Sequence, residues 1–210
     1  MGISAIMIGF ACIGIASTRP YISREESEII LKTGMDNTTE LLEELGLRNK
    51  AVYLPSTMRD GQSQALIPVV NDREIQLVKS NIPGRLTVRY GDNQNDLAIA
   101  VTTPGSKIID MLETRPGPMS GEIKNTVTDV LAGVLDIANS VTVNMTGNQV
   151  DIRVSGARLN YDDTWYYRCL GSPIASIVAT ISSEALQKPV RIREESYSRG
   201  KGRIILEVLS

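Results

Sequence analysis

Between residues 141 and 154 the apolar side chains fall on every second position: Val141, Val143 and Met145, a Thr-Gly-Asn turn, then Val150, Ile152 and Val154. A period of two puts one set of side chains on one face of a strand, so the stretch reads as a β-hairpin with one wet face. Just before it, Ile123, Val127, Val130, Leu131, Val134 and Ile137 recur at helical spacing, which predicts a helix from Glu122 to Ala138. The same order returns at the end of the chain. Pro173 to Leu186 reads as a helix capped by Ser172, with proline at its first position. Val190 and Ile192, a turn containing Arg199-Gly-Lys-Gly202, and a strand from Arg203 to Leu209 follow. Helix-plus-hairpin used twice leads to an α+β fold, with helices packed on antiparallel hairpins. The two copies share little side-chain identity, so this is a repeated arrangement.

The first half carries shorter signals. Ser23-Arg-Glu-Glu26 has the spacing of a capping box, which predicts a helix from about Arg24 to Leu45. Leu31, Met35, Thr38, Leu41, Leu42 and Leu45 would share one side of it, for docking on the body or pairing with a second copy as a short coiled coil. Gly34 weakens that helix by about 1 kcal/mol relative to alanine. Ala51–Leu54 and Ala65–Val70 flank the turn residues Asp60-Gly61, and Pro55 and Pro68 suit edge positions. Leu86, Val88 and Tyr90 pair with Leu97 to Thr103 across GDNQND, and a short helix runs from about Lys107 to Glu113. TRPGPMSG, residues 114 to 121, reads as a hinge. The expected divisions are a segment at 1–18, an α+β region at 23–113 and another at 121–210, the last two separate or continuous.

Residues 1 to 17, MGISAIMIGFACIGIAS, contain no charged side chain. Seventeen helical residues rise about 25 Å, the lower end of what crosses a hydrocarbon core of about 30 Å. A retained single-pass anchor is the expectation. A cleaved signal fits less well, because no basic residue precedes the run. Arg19 and Arg24 follow it, which by the positive-inside tendency puts the body in the cytoplasm at the cell membrane. The sequons at Asn37 and Asn144 matter only for an outward-facing body.

Histidine is absent, which removes the commonest general base, the commonest zinc ligand and every Ser-His or Cys-His pair. Cys12 and Cys169 form no metal spacing, and a bridge between them would draw the body into the membrane. The net charge of −2 supplies no broad basic field for a phosphodiester backbone, so nucleic acid is not an expected partner. No cofactor, metal or catalytic residue is expected.

The chain has one Trp, one Phe and seven Tyr, yet Tyr161, Trp165, Tyr166 and Tyr167 lie within NYDDTWYYRCLGSPIAS, residues 160 to 176. One reading is a corner between hairpin and helix filled by large rings. The other is a ligand site: Trp165, Tyr166 and Tyr167 stack on a flat molecule, Arg168 pairs with an anionic group, and Ser172 opens the helix amino terminus. In an extended segment Tyr166 and Arg168 would face away from Trp165 and Tyr167. Asp162-Asp163 reads as a solvated turn with the composition of a cation site. SRGKGR, residues 198 to 203, is basic and lacks the phosphate-loop pattern, so it reads as a hairpin turn.

ELGLRNKAVYLPSTMRDGQSQALIPV, residues 44 to 69, and GSPIASIVATISSEALQKPVRIREE, residues 171 to 195, resemble membrane-anchored proteins of methanogenic and halophilic archaea whose function is unknown. The resemblance covers most of the chain and implies an anchored body with no particular activity. The closing helix and hairpin also resemble those of vinyl-reductase-type small-molecule-binding domains. Those domains carry cysteines about the last hairpin where this chain has Tyr197 and Ser198, so the likeness implies neither metal nor haem.

The functional expectation is a membrane-tethered, non-enzymatic binding or interaction module. It would be held by residues 1–18, self-associate or take a partner protein, and have room for a small ligand. Two alternatives stay open: an outward-facing envelope or structural component, and a small-molecule-binding sensor domain. An enzyme would need a site built from carboxylate or tyrosine.

Overall fold

The structure is a computed structural model describing residues 7–8, 24–70, 81–158 and 164–209. Apart from Met7 and Ile8, which are helical, the expected membrane segment lies outside the described residues, as do Ser23, Tyr161, Asp162 and Asp163. Residues 1–38 form one unit and residues 39–210 a second, compact one.

Helix α1, Arg24–Glu44, has the predicted extent. Its expected stripe is only partly used: Leu42 is buried, whereas Leu41 and Leu45 are each 50 % exposed. Neighbouring helical positions point about 100° apart, so one face receives Leu42 and leaves Leu41 outside. Gly46 then turns the chain at φ 67°, and buried Leu47 follows.

Among the described residues eight strands form one antiparallel sheet: β1 Val52–Leu54, β2 Gln64–Pro68, β3 Thr87–Arg89, β4 Leu97–Val101, β5 Ser140–Thr146, β6 Gln149–Ser155, β7 Val190–Ser198 and β8 Lys201–Val208. Their order is β3-β4-β2-β1-β7-β8-β6-β5. The pairing of β1 with β7, Val52 opposite Arg191, joins the early hairpins to the late ones, so residues 114–121 connect two parts of one sheet. Proline did not confine β2 to an edge; it lies between β4 and β1. Pro68 sits beyond the end of β1, where no ladder donor is needed. Asn49 instead donates its side-chain amide to the Pro68 and Val70 carbonyls at 3.1 and 2.9 Å.

The remaining helices are α2 Pro104–Met111, α3 Ser120–Thr128, α4 Trp165–Leu170 and α5 Pro173–Leu186. The single helix expected over 122–138 is divided. Its α-helical part ends at Thr128, and Asp129–Val134 winds as a wider π-type turn. α5 is the centre of the fold. Among the described residues, Trp165–Leu186 is the one helical stretch long and apolar enough to cross a membrane, and 83 % of its apolar window is buried inside the protein. α2 crosses α5 closely: a Cβ on Gly105 would stand 2.5 Å from Thr180 Oγ1 and 3.0 Å from Ile177 Cα.

Alternation along the strands divides the core. Tyr53, Ala65, Ile67, Val141, Val150, Ile152, Val190, Ile204 and Leu206 belong to the main core with the helices. Val52, Leu54, Leu66, Val88, Tyr90, Ala98 and Ala100 form a smaller core on the other face of the β1–β4 half, closed by Ile82. Arg59, 1 % exposed, holds that closure. Its guanidinium donates to Gln64 Oε1 and to the carbonyls of Pro83 and Arg85. Burial pulls the Arg59 guanidinium below its ordinary range, and neighbouring Asp60 opposes the shift.

Candidate functional site

The aromatic segment folds into α4, so its side chains do not alternate as they would in a strand. Trp165 and Arg168, three positions apart, come to one side of the helix, with the guanidinium carbon 5.7 Å from the indole centroid. Half-buried Trp165 donates from Nε1 to the Leu47 carbonyl at 2.6 Å, which ties α4 to the chain leaving α1. Tyr166 and Tyr167 meet edge to face at 5.4 Å. Burial, with a smaller contribution from Tyr167, pushes the Tyr166 phenol up to about 12.

Gly171, at φ 71°, ends α4, and Ser172 caps α5. Ser172 Oγ accepts the Ala175 N–H at 3.1 Å and shares a hydrogen bond with the Tyr197 hydroxyl at 2.9 Å. The Ser172 N–H donates to the Glu195 carboxylate at 3.0 Å. A register shift between Ile192 and Glu194 places Glu195 opposite Ile204 and so turns it toward the helices. The structure therefore brings Trp165, Tyr166, Tyr167, Arg168 and Ser172 into one neighbourhood, where ring packing, a cation over an indole and a closed helix cap use their polar groups. Cys169 lies beneath them, 3.4 Å from the Leu47 carbonyl oxygen, and burial pushes its thiol up to about 11. Such a thiol is mostly protonated at neutral pH and is a poor nucleophile.

A second site has a polar centre. Glu184, 1 % exposed, is the only charged residue of α5 and lies near its carboxyl end. Its carboxylate accepts the Ser56 N–H at 2.8 Å and the Ser56 hydroxyl at 2.7 Å, and pairs with Arg115. Ser56 opens the short turn Ser56–Met58 directly after β1, so its N–H is free of the ladder and points to α5. Arg115 comes from the proline-rich connection and also donates to the Ser56 hydroxyl. Thr57 donates to Gln187 Oε1 at 2.7 Å, and Gln187 ends α5 in the left-handed region at φ 52°.

These residues, with Asp60, Gly61 and Asn81, line a cleft of about 530 Å³. Asp60 is positioned by accepting the Gly84 N–H at 2.9 Å. The cleft offers hydroxyl, amide, carboxylate and guanidinium groups together, which suits recognition of a polar molecule by hydrogen bonds. Among the described residues no three His, Cys, Asp or Glu side chains gather as a metal site. The sequence reading passed over Glu184, Ser56 and Arg115. One signal was available: a lone carboxylate within fourteen otherwise uncharged helical residues.

None of the curated proteins and none of the solved structures compared with the chain matches it. Residues 12–208 match the model of a domain of unknown function, DUF7982, and the chain belongs to that family.

Proposed function

We propose that the chain is a membrane-tethered, non-enzymatic binding module whose cleft beside Glu184 takes a small polar ligand. Residues 1–18 hold it at the cell membrane, and the body faces the cytoplasm. The observation that carries the reading is a fully buried carboxylate at the edge of an open cleft. Burying an ion costs more than burying an apolar side chain of equal volume, so packing alone gives no reason for glutamate here. The cleft volume falls within the range of about 300 to 1,000 Å³ common to small-molecule sites. The carboxylate is already held by Ser56 and Arg115, which favours recognition over proton transfer. A molecule with several hydroxyl or amine groups is the class that such a lining selects.

The test is thermal unfolding of the full chain in a non-ionic detergent with free amino acids, monosaccharides and polyols. At least one compound should raise the midpoint by about 2 °C or more, as ligand linkage requires. The rise should vanish in Arg115→Gln, whose side chain is 55 % exposed. No rise with any compound, or an equal rise in the variant, would remove the cleft from consideration. For the tether, cleavage at a protease site placed between residues 18 and 24 should release the body from membranes. A body that stays in the membrane pellet contradicts the anchoring role of residues 1–18.

A further inference from the structure

The face of the β7-β8-β6-β5 half that points away from the helices carries a different chemistry. The strand register sets Arg153 opposite Arg203 and Ser155 opposite Lys201. On the flanking strands Ser140 and Thr142 stand beside Ser155 and Arg153, and Ser196 and Ser198 stand beside Arg203 and Lys201. These residues, with Val154 and Gly202, line a depression of about 260 Å³.

Like charges directly opposite on neighbouring strands repel. Here a single carboxylate serves two guanidinium groups. Asp151 accepts Arg203 Nε at 3.2 Å and Nη2 at 2.9 Å, and reaches Arg153 at 3.5 Å. Lys201 has no ion-pair partner among the described residues. Asp151 and Glu194 both stand in the row of Ile205, on either side of β8, and both act on Arg203, so three cations against two carboxylates leave the depression with an excess of one positive charge. The remaining acid of this face, Glu207, lies further along β8 and pairs with Arg191. Hydroxyl donors ring the cations, and the Ser140 and Ser155 hydroxyls already meet at 2.7 Å.

We propose that this depression binds a phosphate group. A phosphate monoester brings a charge of about −1.5 to −2 at neutral pH and three acceptor oxygens, which Lys201, the donors of Arg153 and the hydroxyl ring can meet. Arginine supplies paired donors to such a group, and Arg153 keeps most of its donors free of Asp151. The size fits a phosphate with a small substituent, either on a soluble molecule or as a lipid headgroup. The site is separate from the Glu184 cleft, which shares none of its lining residues.

The experiment uses the full chain in a non-ionic detergent at low salt. Glycerol 3-phosphate is titrated by calorimetry in one arm, and phosphatidic acid in mixed micelles, with phosphatidylcholine as reference, in the other. Binding is expected in at least one arm, and the arm that responds names the source of the phosphate. The double variant Arg153→Gln with Lys201→Gln keeps the Arg203–Asp151 pair, and it should weaken that binding about tenfold or more, the loss expected for charge-assisted hydrogen bonds. Lys201→Gln alone serves if the double variant loses its circular dichroism. Absence of binding in both arms, or equal binding by the variant, overturns the proposal. Arg115→Gln should leave phosphate binding unchanged, so this site and the Glu184 cleft fail separately.

Discussion

Ser56 gives both its backbone N–H and its hydroxyl to the carboxylate of Glu184, 128 positions further along the chain. The pair joins the end of β1 to the end of α5 at a point where Arg115 also arrives. Glu184→Ala would leave the Ser56 N–H buried without an acceptor and Arg115 without its partner. Breaking a buried, hydrogen-bonded charge site on one side costs about 3 to 5 kcal/mol. Urea unfolding followed by the fluorescence of Trp165, the sole tryptophan, measures it. A loss under about 1 kcal/mol would mean that the carboxylate is not held as a fixed element.

Two glycines separate close packing from backbone freedom. Gly105→Ala puts a methyl group against Thr180 and the Ile177 backbone, and overpacking of this kind costs about 1 to 3 kcal/mol. Gly34→Ala meets nothing within 4 Å on α1, so helix propensity should dominate and raise helicity, by up to about 1 kcal/mol. Opposite signs are therefore expected, with the first seen in the unfolding midpoint and the second in helical circular dichroism. A neutral Gly105→Ala would show that α2 can move away from α5 at no cost.

Alternation at Val141 to Val154 and helical spacing at Ile123 to Val127 carried the C-terminal architecture, because each pattern reports directly which side chains must leave water. The order of the sheet was not legible. No local signal tells β1 that its second neighbour is β7, because that pairing depends on contacts more than a hundred residues apart. Pro68 misled for a related reason: a missing donor matters only where a ladder partner stands opposite, and β1 has already ended there. The WYYRCL segment reads in the sequence as a loop or short strand entering the last helix, but it forms a short helix of its own, held by the Trp165 contact with the Leu47 carbonyl although its aromatic residues favour strands. Glu184 was legible only as an anomaly in α5, and its partners come from a turn and a connection that no spacing links to it.

Alkaline pH should weaken the body in a defined window. Burial raises the Cys169 thiol to about 11 and the Tyr166 phenol to about 12 in the folded protein, while unfolding returns them near 9.0 and 10.0. Between these values the folded state holds protons that the unfolded state releases. Stability is therefore complete below about pH 9 and falls as pH rises toward 12. Buried Tyr53, whose phenol is also raised by desolvation, adds to the loss. The melting temperature should drop from pH 8 to pH 11, and less steeply in Cys169→Ala. A flat profile across that range would show that these groups become solvated before unfolding.

The exposed side of α1 offers a test of self-association. Leu41 and Leu45, one helical turn apart, are each half exposed, whereas neighbouring Leu42 is buried. Leu41→Glu with Leu45→Glu puts two charges on that side and leaves Leu42 in place. If the helix pairs with a second copy, light scattering in detergent should show the mass fall to that of the monomer while circular dichroism stays constant. An unchanged mass would limit α1 to its own chain.

Trp165 distinguishes an anchor from a ligand platform. Its indole N–H reaches the Leu47 carbonyl at 2.6 Å, its ring packs against the main core, and Arg168 lies over it. Trp165→Phe keeps most of the apolar contact and removes the donor, so it should cost about 1 to 2 kcal/mol. Trp165→Ala removes the ring as well, and about 3 kcal/mol is expected, the lower end for a large aromatic because the residue is only half buried. Arg168→Ala loses a partly exposed cation–π contact worth about 0.5 to 1 kcal/mol. The graded order, with alanine at 165 most harmful and alanine at 168 least, follows from anchoring and can be read from urea midpoints by circular dichroism. Near-wild-type midpoints for both substitutions at 165 would mean that the indole contributes little to folding, and α4 would then become the first surface to test for binding of flat ligands.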